Sequence, residues 1–231
     1  YAVGTAFIVL LMVKDHHVHV YRKAATTDHL TELLNRGAFM ETALKLCVHQ
    51  GERNEPVSLL MFDLDHFKSI NDRFGHAVGD NVLRVFAQVA RTSTRASDII
   101  GRLGGEEFAA IVPESMEVAT RIAERLRAAF EVAGVTVGAQ AIGATVSIGV
   151  ATSYEPVTDI DTLLARADGA LYSAKHAGRN RLHAADDEPA SAERARLIAA
   201  ARSAQAGTHG WLPQRKSAAR RAKPVSSTVN G

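Results

Sequence analysis

The sequence predicts an α+β domain, and three observations carry that prediction. An apolar, β-rich run at residues 57–65 has the length and composition of a buried strand. Two further apolar runs, at residues 98–103 and 106–113, are separated by only two glycines, which is typical of an antiparallel hairpin. Amphipathic helical patterns lie between the strand-like runs at irregular intervals. The hairpin and this irregular order favour α+β over a doubly wound parallel sheet.

Composition indicates one ordinary globular domain. The chain has 231 residues, 23% charged and 46% hydrophobic, with a net charge of +2. That charge gives no reason to expect nucleic acid as a specific partner. The single cysteine, Cys47, excludes an internal disulfide. Its place in an apolar helical pattern predicts a buried thiol rather than a nucleophile.

Residues 1–25 predict the end of a transmembrane helix followed by a linker helix. The segment is apolar up to Lys14, and Arg22 and Lys23 follow, in agreement with the positive-inside tendency. The apolar run alone is shorter than the about 20 residues that cross a bilayer. A buried or dimer-forming helix is the alternative. We therefore expect the domain on the cytoplasmic side of the inner membrane, with a purely cytoplasmic location as the alternative.

The elements before the hairpin are predicted in the following order. A helical pattern runs from residue 16 to 34, where Thr27 or Asp28 is placed to cap a new short segment. A second helix covers residues 36–50, and the strand at 57–65 comes next. Residues 66–80 are mostly polar and punctuated by glycine, so they are predicted as a loop.

A helix is predicted from residue 81, with Asp80 as its N-cap. In the hairpin, Gly104 and Gly105 can take the positive φ values that tight turns need. The turn lifts Glu106 and Glu107 onto the hairpin tip, where their carboxylates need not be desolvated.

The second half of the chain alternates helix and strand. A helix is predicted over residues 116–134, a strand over 144–153 and a last helix over 159–180. The apolar pattern then fades, so the folded domain is expected to span residues 26–183. Residues 184–231 are predicted to be a mostly disordered basic tail, solvated rather than bound to acidic lipid or nucleic acid.

Acids at the ends of two strands predict a metal site. Asp63 and Glu106 converge if the strand and the hairpin are neighbours in one sheet. With a backbone carbonyl between Asp63 and Asp65, they form a site of oxygen atoms only, which suits Mg²⁺ shared with substrate phosphates. Exposed acids at strand ends are also common where no metal binds.

Other polar residues point to a nucleotide. Lys68 and Lys175 could face phosphates. Asn71 and Asp80 offer the amide and carboxylate that can satisfy the donors and the acceptor of a guanine edge. Their structural alternatives are a turn for Asn71 and helix capping for Asp80.

Several motifs together resemble the GGDEF-domain diguanylate cyclases over roughly residues 26–182. They are, in order, DHLTELLNR, FDLDHFKSINDRFGHAVGD, RASDIIGRLGGEEF, ATVSIGVA and ADGALYSAKHAGRNRL. The resemblance implies a palm-type central sheet flanked by helices, like that of adenylyl cyclases and polymerases. It places the signature on a β-hairpin turn.

The resemblance also implies roles for individual residues. Asp63, Glu106 and the carbonyl of Leu64 would hold Mg²⁺, with Mn²⁺ as an alternative ion. Glu107 would assist the site, while Gly104 and Gly105 would let the turn pack against the nucleotide.

Substrate contacts follow from the same resemblance. Asn71 and Asp80 would contact guanine, and Lys68, Lys175 and Arg179 would contact phosphates.

The activity implied is condensation of two GTP into cyclic di-GMP and two pyrophosphates by a homodimer. Each 3′-hydroxyl would attack the other nucleotide's α-phosphate. Arg95 and Asp98 match the family's RxxD site for inhibition by the product, with a surface ion pair as the structural alternative.

Two other functions stay open at this point. A degenerate domain could bind GTP or cyclic di-GMP without catalysis, but the signature acids are present, which favours an enzyme. A cyclase with relaxed base choice could make adenine dinucleotides. Asp80 argues against it, because adenine presents an unprotonated N1.

Overall fold

The computed structural model describes residues 26–185, and a five-stranded sheet lies at the centre of this region. The strands are β1 (Val57–Leu64), β2 (Ile99–Gly104), β3 (Glu107–Val112), β4 (Thr136–Val137), β5 (Gln140–Ala141), β6 (Val146–Ser153) and β7 (Leu182–Ala184). The order in the main sheet is β2-β3-β1-β6-β7, and β4 and β5 form a separate pair. Only β6 and β7 are parallel within the main sheet. This mixed sheet confirms the α+β prediction.

Helices cover both faces of the sheet. They are α1 (Arg36–Glu52), α2 (Phe67–Phe74), α3 (His76–Ser93), α4 (Met116–Ala133) and α5 (Ile160–His176). Alternate residues of β1 face opposite layers: Leu60 and Phe62 pack with α3 and α4, whereas Leu59 and Met61 pack with α1 and α5. Every residue of β1 is buried, which explains why its sequence is apolar apart from Ser58 and Asp63.

Cys47 lies in the layer formed by α1 and α5, as predicted. Its side chain is buried, and burial raises the pKa of the thiol to about 11. At neutral pH the sulfur is therefore a packed thiol and not a nucleophile.

Residues 66–80 are two helices and not the predicted loop. Phe67 and Ile70 are one helical turn apart and both are buried, so they form the apolar face of α2. The other residues of this short helix are mostly polar, which is why the sequence pattern did not predict it. Helix α3 begins at His76, with Gly75 as its N-cap residue. The prediction that Asp80 caps this helix is wrong, because Asp80 lies one turn inside it.

Two helix predictions are also wrong at their ends. Residues 28–34 form a turn closed by a hydrogen bond from the Asp28 amide to the Leu33 carbonyl at 2.8 Å, where a continuing helix was expected. Helix α5 ends at His176 rather than near residue 180. The reason is a left-handed backbone at Gly178, Arg179 and Asn180, with φ values of 114°, 60° and 44°.

The expectations for residues 1–25 and 186–231 concern segments outside the described region. Strand β7 reaches Ala184, one residue past the expected domain end. No helix within residues 26–185 has the length and apolar character that a membrane crossing requires.

Candidate active site

The end of the central strand meets the tip of the hairpin. Asp63 lies opposite Glu107 of β3 and Ser147 of β6 in the sheet. Because β3 leads out of the hairpin turn, this pairing brings Glu106 to the end of β1, where its carbonyl accepts from the Leu64 amide at 3.4 Å. The strand and hairpin are therefore neighbours, as the predicted convergence of Asp63 and Glu106 requires.

The hairpin turn needs its two glycines for their backbone conformation. Gly104 has a φ of 151° and Gly105 a φ of 51°, which side chains with a Cβ rarely adopt. A Cβ at either position would meet no heavy atom within 4 Å. The open side of the turn is thus a surface on which a ligand can approach the backbone closely.

An arginine braces this turn from β2. Arg102 donates from Nε and Nη2 to the Gly105 carbonyl at 3.0 and 2.7 Å. Its Nη1 donates to both carboxylate oxygens of Asp28 at 3.1 and 3.2 Å. Sequence reasoning missed Arg102. The signal was a charged residue two positions before the glycines, in a strand that is otherwise apolar.

Lys175 of α5 pairs directly with Asp63. The Lys175 Nζ lies 2.8 Å from Asp63 Oδ2, with 31% and 12% of the two side chains exposed. Burial raises the pKa of the Asp63 carboxyl; the hydrogen bond and charge of Lys175 oppose that rise, and the charges of Glu106 and Glu107 add to it. Three carboxylates and one ammonium thus share one electrostatic environment.

The donors at this edge fit a hard divalent cation. Asp63, Glu106 and the Leu64 carbonyl offer oxygen atoms only, which suits Mg²⁺ and not a soft metal. Within the described residues, no three His, Cys, Asp or Glu side chains are grouped to hold a metal by themselves. A donor set this small fits an ion that keeps water and shares itself with phosphate oxygens.

Of the two residues predicted to contact guanine, Asn71 of α2 lies against the residue that precedes Asp80 in α3. Gly79 of α3 is buried, and a Cβ there would overlap Asn71 Oδ1 of α2. The side chain of Asn71 therefore rests on the backbone next to Asp80, and both polar side chains are half-buried. The close approach depends on glycine at position 79.

Lys68 and Arg179, predicted to contact phosphates, are both exposed. Lys68 lies in the first turn of α2, just after β1. Arg179 lies in the left-handed segment after α5, so it follows Lys175 around the same helix end.

Asp65 is a positioning residue whose role the sequence analysis did not predict. Its buried carboxylate accepts from Thr145 Oγ1 and Ser147 Oγ, each at 2.7 Å, and from the Asn180 amide at 3.0 Å. These bonds tie the segment that carries Arg179 to the end of β1. Asp63 and Asp65 are both aspartates at the end of the same apolar run in the sequence. Only the fold shows that they have different hydrogen-bonding partners.

Arg95 and Asp98, predicted to bind product, form a turn between α3 and β2. The Arg95 amide donates to Asp98 Oδ2 at 2.7 Å, while the Arg95 guanidinium reaches Glu114 Oε1 at 3.0 Å. The Arg95 side chain is 65% exposed. The guanidinium and the Asp98 carboxylate are thus not paired with each other, and the weak exposed ion pair to Glu114 leaves Arg95 accessible.

Comparison with protein families decides the relationship. The family model described as diguanylate cyclase, GGDEF domain, matches residues 25–181. The chain belongs to the GGDEF-domain family of diguanylate cyclases. The resemblance seen in the sequence motifs is confirmed.

This GGDEF domain has close curated relatives. It is 39% identical over 170 residues to diguanylate cyclase DgcP of Pseudomonas aeruginosa, covering 73% of this chain and 25% of that protein. It is 43% identical over 170 residues to response regulator PleD of Caulobacter vibrioides, covering 72% of this chain and 36% of that protein. The chain therefore spans only a part of the length of these relatives.

Solved GGDEF domains share the fold. The coiled coil and GGDEF domain of DgcB from Caulobacter crescentus, in complex with c-di-GMP, matches with a TM-score of 0.71 and 34% identity, covering 80% of this chain and 96% of that chain. The active GGEEF domain of a diguanylate cyclase from Vibrio cholerae matches with a TM-score of 0.63 and 31% identity, covering 68% and 99% of the two chains. The expected central sheet flanked by helices, with the signature on a hairpin, is the fold observed here.

Proposed function

We propose that this GGDEF domain condenses two GTP molecules into cyclic di-GMP and releases two pyrophosphates. The observation that supports this most strongly is the position of Glu106, on the hairpin turn beside Asp63 at the end of β1. A polar pair suited to guanine, Asn71 and Asp80, lies on the α2–α3 pair that follows β1. The family membership gives the same reaction.

Each group then has one task. Asp63, Glu106 and the Leu64 carbonyl would hold Mg²⁺, with Mn²⁺ as the alternative ion. When bound, the metal neutralises phosphate charge and lowers the pKa of the attacking 3′-hydroxyl. Lys68 and Arg179 orient the triphosphate by charge.

Other residues act on the guanine base and on the 3′-hydroxyl. Asn71 and Asp80 hold the guanine edge, and the exposed Glu107 assists the removal of the hydroxyl proton.

Catalysis requires two copies of the domain. One domain presents one nucleotide, so the 3′-hydroxyl that attacks its α-phosphate comes from the nucleotide of a second domain. We expect residues 1–25 to promote this homodimer. Sedimentation of the chain with and without those residues tests the expectation, and unchanged self-association would remove it.

The activity is tested by incubating the purified chain with GTP and Mg²⁺ and resolving the products by chromatography. We expect cyclic di-GMP and pyrophosphate from GTP, and no dinucleotide from ATP. If GTP is bound but no product forms at concentrations that dimerise the protein, the domain is a receptor and the proposal is wrong. Product from ATP would contradict the guanine assignment of Asp80.

Gly79→Ala is expected to weaken GTP binding without unfolding the domain. The new methyl group displaces the end of the Asn71 side chain, which can rotate away, so the free energy of unfolding changes by less than about 1 kcal/mol. We expect the KM for GTP to rise roughly tenfold. Steady-state kinetics and a thermal melt measure the two effects.

Asn71→Ala is the matched control for Gly79→Ala. If Gly79 acts by placing Asn71, combining the two substitutions adds little to either one alone. Full additivity, or an unchanged KM in Gly79→Ala, would show that Asn71 does not need this glycine.

Arg95→Ala is expected to relieve inhibition by cyclic di-GMP while the basal rate stays the same. Loss of the exposed guanidinium removes a fork that can bind phosphate or guanine, so half-inhibition should need at least about tenfold more product. Initial rates at increasing cyclic di-GMP measure this. Glu114→Gln is the control, because it frees Arg95 from its ion pair and should leave inhibition intact or strengthen it.

A further inference from the structure

The pair between Lys175 and Asp63 places a protein cation on a carboxylate that the proposed function gives to a metal. The Nζ to Oδ2 distance of 2.8 Å is that of a hydrogen-bonded ion pair. With 12% of its side chain exposed, Asp63 has little access to water, so Lys175 supplies much of the stabilisation of its charge. A metal that binds to Asp63 has to compete with this ammonium.

Helix α5 holds Lys175 firmly in that position. The residues before it, Leu171 and Ala174, are buried against the sheet. The backbone of α5 also approaches β6 so closely at Gly149 that a Cβ there would overlap the Ala167 carbonyl. Lys175 therefore moves away from Asp63 through its own side-chain torsions and not by movement of the helix.

The position of the ammonium indicates when the side chain would move. Asp63, Glu106, Glu107 and Lys175 together keep a net negative charge that attracts a divalent cation, but the Lys175 ammonium already occupies Asp63 Oδ2. A divalent cation alone would meet the ammonium at short range, which costs free energy. A nucleoside triphosphate carries negative charge that can form an ion pair with Lys175. The metal can then bind to Asp63.

We propose that Lys175 excludes divalent metal from Asp63 until a triphosphate binds, so that metal and nucleotide enter the site as a coupled pair. This inference rests on the proposed function for the location of the metal, and it adds the order and mutual dependence of binding. The consequence is a positive coupling between the two ligands, which is reciprocal by thermodynamic linkage.

Mn²⁺ titration of the full chain, followed by electron paramagnetic resonance of the free ion, tests the proposal. We expect Lys175→Met to bind Mn²⁺ about tenfold more tightly than the wild type without nucleotide, because the competing cation is gone. Addition of a GTP analogue with a methylene bridge between the α- and β-phosphates should tighten Mn²⁺ binding strongly in the wild type and much less in Lys175→Met. Lys175→Gln should behave in the same way.

Two control variants separate this role from simple phosphate binding. Lys68→Met removes another lysine expected at the phosphates, on α2 instead of α5, and should weaken the analogue without changing Mn²⁺ binding alone. Adding Asp63→Asn to Lys175→Met should abolish the gain in Mn²⁺ affinity.

The possible results distinguish the metal-exclusion role of Lys175 from the proposed cyclase activity. Unchanged or weaker Mn²⁺ binding by both folded Lys175 variants, without nucleotide, overturns it. That result with normal cyclic di-GMP synthesis leaves the proposed function standing. If the Lys175 variants bind Mn²⁺ more tightly but the wild-type chain makes no cyclic di-GMP, the ion-pair competition is supported. Only the proposed cyclase activity is then contradicted.

Discussion

Glu106→Gln is expected to lower cyclic di-GMP synthesis roughly a thousandfold while the fold is retained. The substitution keeps the shape of the side chain and removes the charge that the metal and the phosphates require. Glu106 lies on the turn and is only half-buried, and its carbonyl bond to the Leu64 amide is a backbone contact that the change leaves in place. Product analysis with GTP and Mg²⁺ measures the loss, and a thermal melt checks the fold.

Glu107→Gln is the matched control for Glu106→Gln. It makes the same chemical change one residue along the hairpin, at an exposed side chain that faces Asp63 across the sheet. We expect a smaller loss, because Glu107 assists the site and is not assigned as a metal ligand. If Glu106→Gln keeps more than roughly a tenth of wild-type activity, the assignment of Glu106 to the metal is wrong.

Gly149→Ala is expected to destabilise the domain by at least about 3 kcal/mol, which lowers Tm by roughly 10 °C. A Cβ at this position would overlap the Ala167 carbonyl oxygen and the Leu171 amide nitrogen, and would lie 2.9 Å from Leu171 Cα. All three are backbone atoms of α5, so no side chain can turn aside. Helix α5 would have to move off the sheet and would carry Lys175 with it.

Gly169→Ala provides the comparison for Gly149→Ala, measured by thermal and urea unfolding. Gly169 lies within α5, and a Cβ there would meet no heavy atom within 4 Å. Alanine in a helix interior is favoured over glycine, so this variant should gain about 0.5–1 kcal/mol. A Gly149→Ala protein that melts within roughly 2 °C of the wild type would show that the sheet and helix adjust without strain.

Local patterns were informative where one residue type has one structural use. The run at β1 is apolar apart from Ser58 and Asp63, because both faces of that strand are covered. Gly104 and Gly105 predicted a tight turn, and both have positive φ. The prediction of a loop over residues 66–80 was wrong. Phe67 and Ile70 form an apolar stripe that is too short to stand out from their polar neighbours in the sequence.

By itself, the sequence determined the fold class, the central buried strand, the glycine turn and the family, since these depend on local periodicity, backbone freedom and motif order. Only the tertiary structure decided which charges meet. In the structure, Lys175 pairs with Asp63, and the Asn180 amide donates a hydrogen bond to Asp65. Arg102 bridges Asp28 and the hairpin. These partners are far apart in the chain, and their contacts depend on strand register and on how closely helices approach the sheet, which no local pattern encodes.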